Sequence, residues 1–212
     1  LSAVATVIFL FIRSQQVASD GLGQPVRVSE GYKANLKKVM IWSLFYAVAV
    51  FITGIARSYI QLFLQDESGL RDFEIGVFGS LSFLGITVLG IVVGRMGDRW
   101  QKKGTISLCL STYVACMCAL VFLRNPILLQ LVSFIYGGSV TFGALISSFV
   151  GQVSPETKRG RWMSVPQVAS MFALLGASYV GGYIYAASPF YPFLISILVA
   201  VPLVLIAFRL PE

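Results

Sequence analysis

Six apolar runs organise the chain: residues 39–64, 75–94, 105–122, 126–150, 163–187 and 189–210, with a short polar loop between each and the next. A hydrocarbon core of ~30 Å takes about 20 helical residues to cross, and these runs reach or approach that length. None alternates with period two, so they read as helices and not as strands of an outer-membrane barrel. Composition agrees. Hydrophobic residues make up 57% of the 212 and charged residues only 12%, too few charges to cover a water-facing surface. The 20 glycines follow no G-X-Y period and only three cysteines occur. That excludes a collagen-like fibre and a secreted disulfide scaffold, and the apolar character excludes a disordered chain. The chain belongs in a bilayer, and its runs are spans one to six.

Several kinds of chemistry are also excluded. Histidine is absent, which removes the commonest general base and metal ligand. Cys109, Cys116 and Cys118 lie together in span three without metal-site spacing and read as buried small hydrophobes. No G-x-x-x-x-G-K-[ST] run occurs, so no ATP site is expected. No enzyme, cofactor or metal is called for.

The net charge of +7 does not signal nucleic acid, because the basic residues sit in short clusters between the spans, where they set topology. Before span one lie Arg13, Arg27, Lys33, Lys37 and Lys38 against Asp20 and Glu30. Between spans two and three are Arg95, Arg99, Lys102 and Lys103 against Asp98, and between spans four and five Lys158, Arg159 and Arg161 against Glu156. The alternate loops differ: Asp66, Glu67, Asp72 and Glu74 surround Arg71, the next has only Arg124, and the last, around Ser188, has no charge. Basic loops face the cytoplasm, so both ends of the chain are expected there, in a plasma or inner membrane.

Residues 1–12 are apolar but too short to cross. With no initiating Met, no basic start and no A-x-A site before Arg13, they read as the tail of a preceding transmembrane helix and not as a signal peptide. Residues 13–38 are polar and read as a cytoplasmic linker between two membrane halves. Residues 39–210 are then a six-helix transmembrane domain.

After span two comes Gly94-Arg95-Met96-Gly97-Asp98-Arg99-Trp100-Gln101-Lys102-Lys103, and after span four Pro155-Glu156-Thr157-Lys158-Arg159-Gly160. The first resembles the cytoplasmic G-x-L-x-D-R-x-G-R-[KR] motif of the major facilitator superfamily of transporters. The second resembles that family's P-E-x-x-R-G loop between the fourth and fifth helices of a half. Leu70 to Gly76, leading into span two, is similar as well. Met96 stands in place of the usual Leu and Gln101 in place of Gly, so the turn there differs. The resemblance covers nearly the whole chain and implies an all-α membrane protein: the C-terminal six-helix half, two three-helix inverted repeats, of a twelve-helix bundle. It further implies a conformational latch made of Gly94, Asp98, Arg99, Glu156 and Arg159; as bare chemistry the same residues are a topogenic charge cluster. Gly94 and Gly97 permit a close helix approach and a sharp turn, and Gly90 with Gly94 is a small-xxx-small pair suited to backbone packing in lipid.

Arg57 is the most informative single residue. It lies inside span one, where a charge costs at least ~2.5 kcal/mol and needs a partner, a wet cavity or a route by which to snorkel. At about 100° per residue, Trp42, Tyr46, Thr53, Arg57 and Gln61 share one arc of the helix, a stripe poorly suited to lipid. Tyr136, Ser139, Gly143 and Ser147 form a similar arc on span four, suited equally to a cavity wall or to tight packing. The glycines of span five, Gly176, Gly181 and Gly182, suggest close packing. No Asp or Glu lies within a span, so a proton-coupling carboxylate is expected elsewhere. The resemblance implies a secondary transporter working by alternating access. Arg57 would orient a small solute, one with an anionic group, while Tyr46, Gln61 and Tyr136 line its site. Its partners would be the solute, the lipid bilayer and an N-terminal six-helix half. The rival reading is a non-transporting membrane module, receptor-like or scaffolding.

Overall fold

The computed structural model describes residues 30–99, 102–154 and 159–209. The chain divides into two units, 1–34 and 35–212. Of the first, only residues 30–34 are described, as the start of a helix, so the expected helix tail at 1–12 and most of the linker lie outside the described residues. Among the described residues there are eight helices, in order α1 Glu30–Arg57, α2 Ile60–Asp66, α3 Asp72–Arg99, α4 Lys102–Phe122, α5 Pro126–Ser139, α6 Phe142–Val153, α7 Arg159–Ala187 and α8 Tyr191–Arg209. No strand occurs among the described residues. Taken across their breaks, five of the resulting spans are long and apolar enough to cross a bilayer, and α8 adds a shorter apolar stretch, Tyr191–Ala207.

Two of the six spans are not single helices. Span one is α1 plus α2, interrupted at Ser58 and Tyr59, and span four is α5 plus α6, interrupted at Val140 and Thr141. No proline makes either break. At the first, the Tyr59 N–H turns to the Ala56 carbonyl, three residues back (3.0 Å), and the Ser58 hydroxyl bonds back to the Gly54 carbonyl (3.2 Å). At the second, Ser139 Oγ donates to the Tyr136 carbonyl and Thr141 Oγ1 to that of Gly138, both at 2.7 Å. Hydroxyls that offer the backbone a local alternative loosen a helix in this way.

Chain reversals follow their local chemistry. Gly69, the positive-φ residue at +63°, ends α2, and Glu74 then reaches back to the Arg71 N–H (2.9 Å) to cap α3 in a half capping box. Asn125 accepts from the Ile127 N–H (3.0 Å) with Pro126 at the first helical position, a strong start for α5.

The helices pack with a two-fold pattern. If spans one, two and three are exchanged with four, five and six, the contact of span one with span five becomes that of span four with span two. Both rest on glycine. A Cβ on Gly85 would lie 2.0 Å from the Phe134 carbonyl oxygen, and one on Gly137 equally close to that of Ser82. So α3 and α5 touch backbone to backbone. On the other side a Cβ on Gly54 would meet Ala177 Cβ at 2.9 Å, and one on Gly181 the Ile55 carbonyl oxygen at the same distance. Three crossings per repeat reverse the second repeat in the membrane, which makes the two inverted. The core lies between spans one, three, four and six, around Trp42, Phe45, Phe63, Tyr113, Leu129, Ile146 and Phe193.

The expected close approach at Gly90 and Gly94 is not where the backbones meet. Nothing lies within 4 Å of a Cβ on Gly94, and one on Gly90 would make only ordinary contact with Thr141, at 3.4 Å. The sharp turn expected there is absent too, because α3 continues to Arg99. Gly97 alone packs tightly, with a Cβ placed 2.5 Å from Leu145 Cδ2.

Candidate functional site

Arg57 closes the last turn of α1, at the break, and it lines two cavities. The larger, of about 360 Å³, is lined by Arg57, Ser58, Gln61, Ser82, Tyr136 and Ser178 among its polar residues, with Phe78, Phe83, Ile86 and Leu174 among the apolar ones. The smaller, of about 190 Å³, is lined by Tyr46, Thr53, Arg57, Gln167 and Ser170 with Val50, Phe142 and Met171. Arg57, Val140 and Leu174 belong to both linings. Counted along the spans, the larger cavity lies toward the acidic loops and the smaller toward the basic ones. Neither lining includes an acidic side chain, and no ion pair to Arg57 is found among the described residues.

The structure brings together the four expected solute residues in part. Arg57, Gln61 and Tyr136 line the larger cavity, whereas Tyr46 joins Arg57 in the smaller one. The Tyr136 ring is 6% exposed and its hydroxyl is buried without a hydrogen-bond partner. A buried donor left unpaired costs free energy, so this hydroxyl is a natural contact for a ligand or a water. Tyr46 meets Phe142 edge to face at 5.9 Å, and Gly143 makes room for its phenol.

Other members of the two arcs have different places. Trp42 is buried against Phe149, ring centroids 4.8 Å apart, and Thr53, though in the lining of the smaller cavity, spends its hydroxyl on the Ala49 carbonyl (2.8 Å). Beyond Tyr136, the arc of span four lines neither cavity: Ser139 is buried on its own helix and Gly143 packs on Tyr46. A shared helix face does not decide which members line a cavity: Gln61, past the break in span one, does, whereas Trp42 and Ser139, before the breaks, are taken up by ring packing and by their own helix. Ser58, Ser82 and Ser178, the further hydroxyls of the larger cavity, are not distinguished in the sequence, because a small hydroxyl within a span serves helix packing as readily as a cavity wall.

Around the break, span five is the tightest neighbour. Tyr59 donates its hydroxyl to the Ser178 carbonyl (2.8 Å) and stacks on Tyr185 at 5.2 Å, and the Ser58 and Ser178 hydroxyls lie 2.9 Å apart. At the acidic-loop end, Tyr185 donates to Asp66 Oδ2 (2.8 Å), and Arg124 donates to the Glu67 carbonyl (2.6 Å) with its other nitrogen 4.0 Å from the Glu67 carboxylate.

The expected latch is described only in part. Asp98 and Arg99 are exposed at the end of α3, and Gly94 is half-buried. Arg159 opens α7, and Glu156 lies outside the described residues.

Two overlapping matches to the family model described as Major Facilitator Superfamily cover the chain, at residues 1–148 and 42–212. The chain belongs to the major facilitator superfamily. Its apolar helices make it an integral, multi-pass membrane protein. It is 26% identical over 176 residues to YwtG of Bacillus subtilis (strain 168), a protein named for metabolite transport. That match covers 80% of this chain and 38% of YwtG, so the chain spans well under half the length of the relative. In this superfamily member, then, two cavities meet at one arginine, on a break in the first span.

Proposed function

We propose that the chain is the C-terminal six-helix half of a secondary transporter that moves a small solute bearing an anionic group. The observation that carries the reading is Arg57: a guanidinium without an acidic neighbour, lining both a cavity toward one face and a cavity toward the other. A site reached from both sides through one charge is what alternating access requires. Arg57 would orient the anionic group by charge-assisted hydrogen bonds. Tyr136, through its unpaired hydroxyl, and Gln61 would contact the rest of the solute in the larger cavity, with Tyr46 doing so in the smaller.

The remaining parts of the reading follow. Residues 1–12 are the tail of a preceding helix, 13–38 a cytoplasmic linker and 39–210 the transmembrane domain. An N-terminal half is the partner, for which the extra length of YwtG leaves room. Both ends lie in the cytoplasm of a cell whose plasma or inner membrane holds the protein. Gly94, Asp98, Arg99, Glu156 and Arg159 form the latch on that side. The reaction is vectorial movement, with no bond made or broken in the solute.

Uptake into proteoliposomes tests the reading, with a panel of radiolabelled carboxylates and their neutral amides. The expected result is saturable uptake of one or more carboxylates, reduced about tenfold or more by Arg57→Gln, the loss of one charge-assisted contact. Uptake that prefers the amides, or is unchanged in Arg57→Gln, would overturn the role of Arg57. A protein that moves none of the panel and never exposes its cavity alternately to the two sides would favour the non-transporting module.

A further inference from the structure

The two broken spans are held differently. At the break in span four the hydroxyls come from the span itself, Ser139 and Thr141. The last turn of α1 before the break in span one is gripped from outside, by two spans that line neither cavity. Ser196 of α8 is buried, and its Oγ donates to the Ile52 carbonyl (3.0 Å). Tyr113 of α4, 1% exposed, has its hydroxyl 2.7 Å from Ser196 Oγ and 3.2 Å from the Thr53 carbonyl. With the Ser196 proton committed to Ile52, the Tyr113 proton runs to Ser196 and leans on Thr53, which forms a short relay.

The two gripped carbonyls are those of the turn that ends in Arg57. In an α-helix the Thr53 carbonyl is the regular acceptor of the Arg57 amide, four residues on. The ladder continues only to Ser58, whose N–H meets the Gly54 carbonyl (3.2 Å), and lapses at Tyr59, so the position of Arg57 depends on what fixes the carbonyls just before it. On its other side the Tyr113 ring lies 6.2 Å from that of Tyr136. Tyr113 therefore stands behind Arg57 and Tyr136, two of the four residues assigned to the solute, and belongs to neither lining.

We infer that Tyr113 and Ser196 are positioning residues: their hydroxyl relay clamps the last turn of α1 and so sets where Arg57 stands, and with it the anion preference of the site. The preference part rests on the role of Arg57 proposed above; the clamp itself does not. Buried Ser43 and Ser133 bond within their own helices, and buried Ser107 reaches another span, at the Val204 carbonyl (3.4 Å), but not the turn that ends in Arg57.

Two measurements on the purified protein in lipid nanodiscs test this. The first is amide hydrogen exchange in Tyr113→Phe and Ser196→Ala. Exchange at residues 53–59 should rise about fivefold, the effect of losing one net hydrogen bond, while residues 138–142 keep their rate, and Ser196→Thr should restore it. No rise at 53–59, or an equal rise throughout the protein, would overturn the clamp. The second places a cysteine in the larger cavity by Gln61→Cys, with Cys118→Ser as background, and compares the anionic thiol reagent MTSES with the cationic MTSET. The MTSES-to-MTSET rate ratio should drop several-fold in Arg57→Gln and by a comparable factor in Tyr113→Phe. A ratio lowered by Arg57→Gln but not by Tyr113→Phe would overturn the positioning. A ratio indifferent to Arg57→Gln, with exchange at 53–59 still raised by Tyr113→Phe, would sink the cation reading and leave the clamp standing.

Discussion

At the scale of single residues, the unpaired Tyr136 hydroxyl separates stability from binding. Deleting a buried hydroxyl that has no partner removes a desolvation cost and no bond. Tyr136→Phe should therefore leave thermal unfolding of the protein in detergent unchanged or slightly raised, while its affinity for a transported solute falls about fivefold, as for one lost hydrogen bond. A Tyr136→Phe protein that unfolds earlier and transports with unchanged affinity would show the hydroxyl to be structural. Arg57 was legible in the sequence for an elementary reason: a charge inside a span demands an explanation. Tyr113 and Ser196 were not, because a Tyr or Ser within a span gives no hint of which backbone it will reach. Their partners, Ile52 and Thr53, are 144 and 60 residues away in sequence and meet them only in the folded bundle.

At the scale of helices, glycine decides which pairs touch, and the glycines are not equivalent. Gly85→Ala or Gly137→Ala forces a Cβ onto a facing carbonyl oxygen, so α3 and α5 must separate, at a cost of about 1–3 kcal/mol or more. Gly76 lies in the same helix with nothing within 4 Å of its Cβ position, so Gly76→Ala should be neutral or stabilising by up to ~1 kcal/mol. Thermal unfolding of the three variants side by side checks the order, and equal shifts would contradict it. The sequence pointed to small-residue packing on span two but to the wrong pair. A G-xxx-G spacing marks two glycines on one face and carries no record of which face meets a neighbour. The six spans themselves were readable because length and apolarity alone specify them. The breaks at Ser58–Tyr59 and Val140–Thr141 were not: no Pro marks either one, and glycines such as Gly137 and Gly138 beside the second, like the hydroxyls responsible, occur in unbroken helices such as α3 as well.

At the scale of the whole molecule, the charge asymmetry of the loops makes a prediction about sidedness. Cysteines placed at Gln65 and Gly160, both exposed, test it with an impermeant maleimide. Gln65→Cys in intact cells should be labelled at once, and Gly160→Cys only after permeabilisation; the reverse pattern would invert the proposed orientation. Helices α3 and α7 bury few of their residues fully, 11% and 17% across their most apolar stretches against 50% for α4. They are also the two helices that supply Ser82 and Ser178 to the larger cavity. Two walls of the larger cavity thus belong to the least buried of the five long spans. For the latch, Asp98→Asn should slow transport turnover with little change in apparent affinity, because Asp98 is exposed at the far end of α3 from the larger cavity. A change confined to affinity would remove it from that role.

The break in span one also bears on the charge at that depth. Aligned peptide dipoles leave the equivalent of about half a negative charge at the carboxyl end of a helix and half a positive charge at the amino end of the next. An unbroken span would carry both out to the loops. Because α1 stops at Arg57 and α2 starts at Ile60, the two poles face each other inside the span and largely offset one another. The guanidinium is left as the net charge there, free of any carboxylate in either lining, so an anion that enters the site has no bound carboxylate to displace.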